Sequence, residues 1–114
     1  FDLDSFHLWN YTENWHGAPY NNRGVGAFQL AFSLDGNLFD GVQDFNADAT
    51  PDFAEPEAQT FLLSPVSAAF VRLTINSNHG GNFAGLSEVR FGGASEPPQP
   101  VITAITASSG LLRA

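Results

Sequence analysis

This sequence has no cysteine, no methionine and no lysine, and its cations are four arginines. Without cysteine there is neither a disulfide framework nor a thiolate metal site, although that absence does not decide the compartment. Four cations against twelve carboxylates leave a formal charge of −8. A charge of that sign argues against nucleic acid, which needs a basic surface, and against anionic membranes. It is compatible with divalent cations and with neutral ligands. No apolar run approaches the roughly 20 residues of a membrane-crossing helix, and no segment keeps a helical period. No signal peptide is read, yet the chain opens on Phe1 rather than Met. It reads as a processed or excised piece, with an exported origin left open.

What is present is short apolar alternation broken by turn chemistry. At 114 residues the chain is expected to be one domain with a modest core, and eleven Phe make that core aromatic and rigid. Residues 2–9 alternate imperfectly and read as a strand, in which Trp9 is expected in the core and Asn10 is expected to bond turn backbone. Residues 10–22, rich in Asn, Gly, Pro and aromatics, read as a long loop. The clearest strand is 23–34, with Phe28, Leu30, Phe32 and Leu34 on one face, closed by Asp35-Gly36, a turn favoured in hairpins. Residues 38–56 are acidic, contain two prolines and read as loop. A short strand at 59–63 ends in a turn at Ser64-Pro65.

The central stretch is 69–93. Val71, Leu73 and Ile75 alternate with Phe70, Arg72 and Thr74; Asn- and Gly-rich turn chemistry follows at 76–81; Leu86, Val89 and Phe91 then resume an apolar pattern. Residues 92–100 have the composition of a linker, and 101–106 are β-branched and alternating. Short strands separated by turn signals imply an all-β sandwich.

The order of segments resembles the discoidin, or coagulation factor V/VIII type C, domains of the galactose-binding-like superfamily. The matching features are Trp9-Asn10-Tyr11 at a strand end, Arg23-Gly24-Val25 opening a strand, Ser33-Leu34-Asp35-Gly36 at its turn, Val71-Arg72-Leu73, and Leu86-Ser87-Glu88-Val89-Arg90-Phe91. The resemblance implies a jelly-roll β-sandwich over residues 1–93, followed by a Pro-rich linker at 94–100 and a tail at 101–114. It implies a non-catalytic extracellular or cell-surface module that binds a glycan or another cell-surface ligand through loops at one end. Family members usually start with a further N-terminal segment carrying part of a structural calcium site, which has no counterpart here. By that resemblance Glu88 stands where carbohydrate-binding members place a calcium-ligating Glu. The alternative is an ion pair of Glu88 with Arg72 or Arg90, worth little if exposed.

Other candidates come from the residues themselves. Asp44, Asn46, Asp48, Thr50, Asp52 and Glu55 have the spacing of an EF-hand calcium loop. However, Ala49 stands where the loop needs Gly, Pro51 stiffens it, and any solvated acidic loop alternates in this way, so the solvated loop is the preferred reading. Trp15, His16, Tyr20, Asn78, His79 and Phe83 form a candidate sugar-binding face, in which aromatics would meet C–H surfaces and polar groups would meet hydroxyls. Against it, Trp15, Tyr20 and Phe83 would plug the ends of the core, which is the preferred reading for any one of them taken singly. Asn10-Tyr11-Thr12 is a glycosylation sequon. Catalytic patterns are poor, because His7, His16 and His79 lack metal-ligand spacing and Ser77 has no nucleophile elbow. The tail leaves three readings open: the start of a following domain, a strand pairing within this one, or a strand donated to a second copy through residues 101–107. The last would make the chain a structural subunit of a surface assembly.

Overall fold

The apolar residues of the N-terminal segment break strict alternation, and a bulge is the reason. In the computed structural model, which describes residues 1–93, 101–107 and 111–112, the strands are β1 (Asp2–Asn10), β2 (Asn14–Trp15), β3 (Ala18–Pro19), β4 (Ala27–Ser33), β5 (Asp40–Asn46), β6 (Ala58–Ser67), β7 (Phe70–Ile75), β8 (Phe83–Ala84), β9 (Leu86–Gly93), β10 (Val101–Ala107) and β11 (Leu111–Leu112), with a 3-10 turn at Asn21–Arg23. The register of β1 slips between Leu3 and Ser5 against both neighbours. One extra residue there lets Leu3, Phe6 and Leu8 all face inward. At this bulge β9 comes very close: a Cβ on Gly93 would lie 1.9 Å from the Asp2 carbonyl oxygen. The Gly92-Gly93 pair, read from composition as the start of a linker, is therefore strand.

Among the described residues the larger sheets run β6-β1-β9 and β10-β7-β4-β5, with β2-β3 and β11-β8 as small ribbons. Every pairing in β6-β1-β9 is antiparallel, as are β4-β5 and β4-β7, whereas β10 runs parallel to β7. Phe rings join the two sheets. Phe6 is in register with Phe61 and Phe91, and Phe28 with Phe45. Across the interface Phe6 and Phe28 are 5.8 Å apart by centroid, Phe28 and Phe61 5.3 Å, and Phe45 and Phe61 5.5 Å. With Leu30, Phe32, Val71, Leu73 and Ile75 they form one continuous core, each fully buried side chain contributing about 2 kcal/mol of apolar transfer. The all-β, sandwich-like expectation holds.

Several finer expectations do not. Residues 40–46 are not loop but β5, an edge strand whose exposed residues include Asp40, Asp44 and Asn46 together with Val42. The strand at 59–63 does not stop at Ser64-Pro65; β6 continues to Ser67, since an edge strand tolerates proline where no ladder donor is needed. Leu34 does not share the face of Phe32. It is 71% exposed, because β4 ends at Ser33 and the turn begins. Trp9 is half-exposed on the outer face of β1, with the Arg90 guanidinium 5.7 Å from its ring centroid. Strands β7 and β9 lie in different sheets, so 69–93 is a crossover and not a hairpin. The tail strand β10 pairs within the chain, from Val101 opposite Phe70 to Ala107 opposite Ile75. Residues 94–100, expected as linker, lie outside the described residues.

Side-chain amides act here as if they were strand backbone. Asn10 donates to the Val25 carbonyl and accepts from the Val25 N–H, at 2.9 and 2.8 Å. Gln59 does the same to Asp48 and Gln43 to Ser64. The last pair joins β5 to β6, tying the edges of the two sheets. Asn10 is also fully buried, so its sequon is closed to a glycan in the folded state.

The β4–β5 connection is a hairpin with Gly36 at φ 82. The Asp35 carboxylate accepts from Asn37 N, Leu38 N and the Ser33 hydroxyl. The two backbone bonds, then the hydroxyl, hold its pKa below the ordinary carboxylate value. A lowered folded pKa adds stability that is present above the unfolded value and lost as pH falls through the folded one. Carboxyl NMR titration should find Asp35 below 3.8, and Ser33→Ala should move it part of the way back. A titration at the ordinary value would show that these bonds do not persist in solution.

Candidate functional site

Strands β2 and β3 form a small hairpin, with Trp15 opposite Ala18. His16 (φ 52) and Gly17 (φ 77) occupy its tip, the left-handed pair that two-residue hairpin turns use. This leaves Trp15 60% exposed, with the His16 ring edge-on at 4.5 Å and Tyr20 at 6.5 Å. Tyr20 N donates to the Glu13 carbonyl at 2.8 Å and closes the base of the hairpin. Below it Asn21, buried, accepts from Glu13 N and donates to the Pro51 carbonyl.

Arg23 is the centre of this end. Its guanidinium lies 4.5 Å from the Tyr20 ring and 5.0 Å from the Phe83 ring, and Nη1 donates to Glu13 Oε1 at 2.9 Å. The Tyr11 hydroxyl donates to the same carboxylate oxygen. Glu13, Trp15, Tyr20 and Arg23 line an open hollow of about 290 Å³, the small end of the range for ligand sites. An exposed indole beside an immobilised carboxylate–guanidinium pair offers an apolar face, acceptors and donors at one place. That combination suits a neutral polyhydroxylated molecule.

The six expected ligand residues divide into two groups. Tyr20 and Phe83 pack on Arg23, Trp15 lines the same hollow and is not a core plug, and His16 stands against Trp15 at the hairpin tip. Asn78 and His79 hold the facing loop in shape. Asn78 Nδ2 donates to the carbonyls of Gly81 and Phe83, and its Oδ1 accepts from Gly80 N. His79 Nε2 lies 3.1 Å from the Val25 carbonyl and 2.9 Å from that of Ala47; two acceptors place the proton on Nε2. Asn78 bonds Phe83 and so acts one step behind the hollow, while His79 ties its loop to Val25 and Ala47. Arg23 and Glu13 were missed as site residues. The available signal was that they are opposite charges bracketing the hairpin.

The metal candidates are scattered. Glu88 is exposed on β9 and pairs with Arg90 at 3.3 Å, the ion-pair alternative. Asp44 and Asn46 belong to β5, where they pair with Gln29 and Ala27 of β4, so the EF-hand spacing does not correspond to a loop. Asp48 has its main chain held by Gln59, while Asp52 and Glu55 are exposed. Among the described residues no three His, Asp or Glu side chains are grouped to hold a metal ion. Ser5, His7 and Thr60 form a hydrogen-bonded row on the outer face of β6-β1. No helix among the described residues is long and apolar enough to cross a membrane. Comparison with protein-family models, curated proteins and solved structures finds no match.

Proposed function

We propose that this chain is a non-catalytic carbohydrate-recognition module of an extracellular or cell-surface protein, with a jelly-roll sandwich of the discoidin, galactose-binding-like kind. The observation that carries the reading is Trp15, 60% exposed beside the Glu13–Arg23 pair at 2.9 Å. Exposing an indole costs apolar burial, and its neighbours are groups that bond hydroxyls. Arg23 is held by two aromatic rings and by Glu13, so the donor–acceptor pair is preorganised, which lowers the entropic cost of binding. The charge of −8 directs the reading to neutral glycans and away from sulfated or uronate-rich ones. The order of strand signatures that resembles the discoidin domains supports the same class.

Glycan-array screening followed by calorimetry on the best neutral hit tests the reading. Trp15→Ala should weaken binding by about tenfold or more, the worth of losing one aromatic contact of 1.4 kcal/mol or above. Its melting temperature should stay unchanged, because an exposed side chain leaves no cavity. Undiminished affinity in Trp15→Ala would remove this site.

A further inference from the structure

We infer that Phe53 is a second aromatic contact at the same end of the sandwich, and that the chain accordingly takes a neutral oligosaccharide of two or more units in preference to a single sugar. This rests on the carbohydrate reading and extends it to a residue outside the Trp15 hollow.

Phe53 is 65% exposed and has φ 61. A bulky side chain disfavours that region, and a non-glycine residue held there points to a local demand that the surroundings enforce. Core packing does not supply the demand, since most of the ring faces solvent. Trp15 is presented in a comparable way, with its neighbour His16 at φ 52. These are two exposed aromatics, each at a loop tip shaped by a left-handed non-glycine residue.

The two tips are also tied together. Asn21 is 2% exposed and bridges Glu13 N, two residues before Trp15, to the carbonyl of Pro51, two residues before Phe53. Ala54 N donates to that same Pro51 carbonyl at 3.1 Å, turning the chain at Phe53. The Trp15 hollow includes Glu13, and a second hollow of about 340 Å³ includes Pro51 and Ala54. The Glu13–Asn21–Pro51 link therefore joins a wall residue of one hollow to a wall residue of the other; Trp15 lines the first, and Phe53 sits in the chain between Pro51 and Ala54 of the second. A ligand seated on Trp15 and long enough to cross this link reaches the Phe53 loop. A monosaccharide in the first hollow does not.

The test is calorimetry with neutral β-1,4-linked gluco-, manno- and galacto-oligosaccharides of one to six units, using the whole chain. Unaltered protein should bind the tetrasaccharide of its preferred series at least about tenfold more tightly than the monosaccharide. Phe53→Gly suits the left-handed backbone, so it should keep the melting temperature while the length dependence collapses. Trp15→Ala should weaken every length. Full length dependence in Phe53→Gly, or a lowered melting temperature in that variant, overturns the inference and leaves the Trp15 site standing. If neither these series nor the neutral glycans of the array bind the unaltered chain, the carbohydrate reading falls and this inference with it.

Discussion

Asn10→Leu should lower the melting temperature by about 15 °C, the largest effect expected of any polar substitution in this domain. The Asn10 amide makes hydrogen bonds to Val25 N, Val25 O, Tyr11 N and Asp48 O, and the residue is 0% exposed. The four partners do not lose equally. The Val25 carbonyl keeps His79 Nε2, and the Asp48 carbonyl keeps Gln59 Nε2. The Val25 and Tyr11 N–H groups lose their Asn10 acceptor in a site that water does not reach. Each such donor costs about 1–3 kcal/mol, which sums to about 4 kcal/mol. At about 4 °C per kcal/mol for a domain of this size, the shift follows. Asn10→Asp keeps the acceptor but buries a carboxylate against two carbonyl oxygens, so it should be no milder. Thermal and denaturant unfolding measure both, and a loss under about 1 kcal/mol would show the buried amide to be dispensable.

Phe28→Ala should cost a comparable amount, about 3–5 kcal/mol. Phe28 is 1% exposed, stacks on Phe45 at 5.5 Å and meets Phe6 and Phe61 of the opposite sheet. Truncation removes a ring that three others contact, and rigid neighbours close the gap poorly. Phe28→Leu refills part of the volume and should cost less than half as much. The control is Leu62→Ala, since Leu62 is 80% exposed and should change stability by under about 0.5 kcal/mol. Equal losses at positions 28 and 62 would contradict the core assignment. Total stabilities of domains run to about 5–15 kcal/mol, so either core variant removes a large fraction.

Strands β4 and β7 were legible because one face of each is buried, and burial imposes period two. Strand β5 was not, because its exposed residues mix Asp and Asn with Val42, and only Phe45 among its seven reports the core. Proline hid the length of β6 for a related reason, since it reads as a break only where its N–H is needed. At the N-terminus Trp9 leaves its expected place in the core, whereas Asn10 bonds loop backbone as expected. Period two from Phe6 and Leu8 puts Trp9 on the outer face and Asn10 inside; the size of the indole had suggested the opposite.

The site was half legible. Aromatic side chains in Gly- and Asn-rich loops were visible as candidates, and three of the six, Trp15, Tyr20 and Phe83, lie at Arg23 or its hollow. Asn78 and His79 carry the right functional groups, but local backbone carbonyls compete for them and win. Glu13 and Arg23 are ten residues apart, and only the β2-β3 hairpin brings them to 2.9 Å. Spacing alone carries no trace of that contact. Phe53 lay in a segment that composition marked as solvated.

The amide clamps make one loop exchangeable. Asn10 and Gln59 fix Asp48, and Asn21 fixes Pro51, so the loop is anchored on side chains of other segments before its tip begins. The tip at 52–57 is exposed or half-buried along its length, and nothing in the core depends on its identity. Its length and sequence are free to vary while the sandwich stays as it is. If the proposed glycan site holds, the domain is in this sense a frame with a replaceable reading head: a library confined to 52–57, selected on different glycans, would change what is recognised without rebuilding what folds.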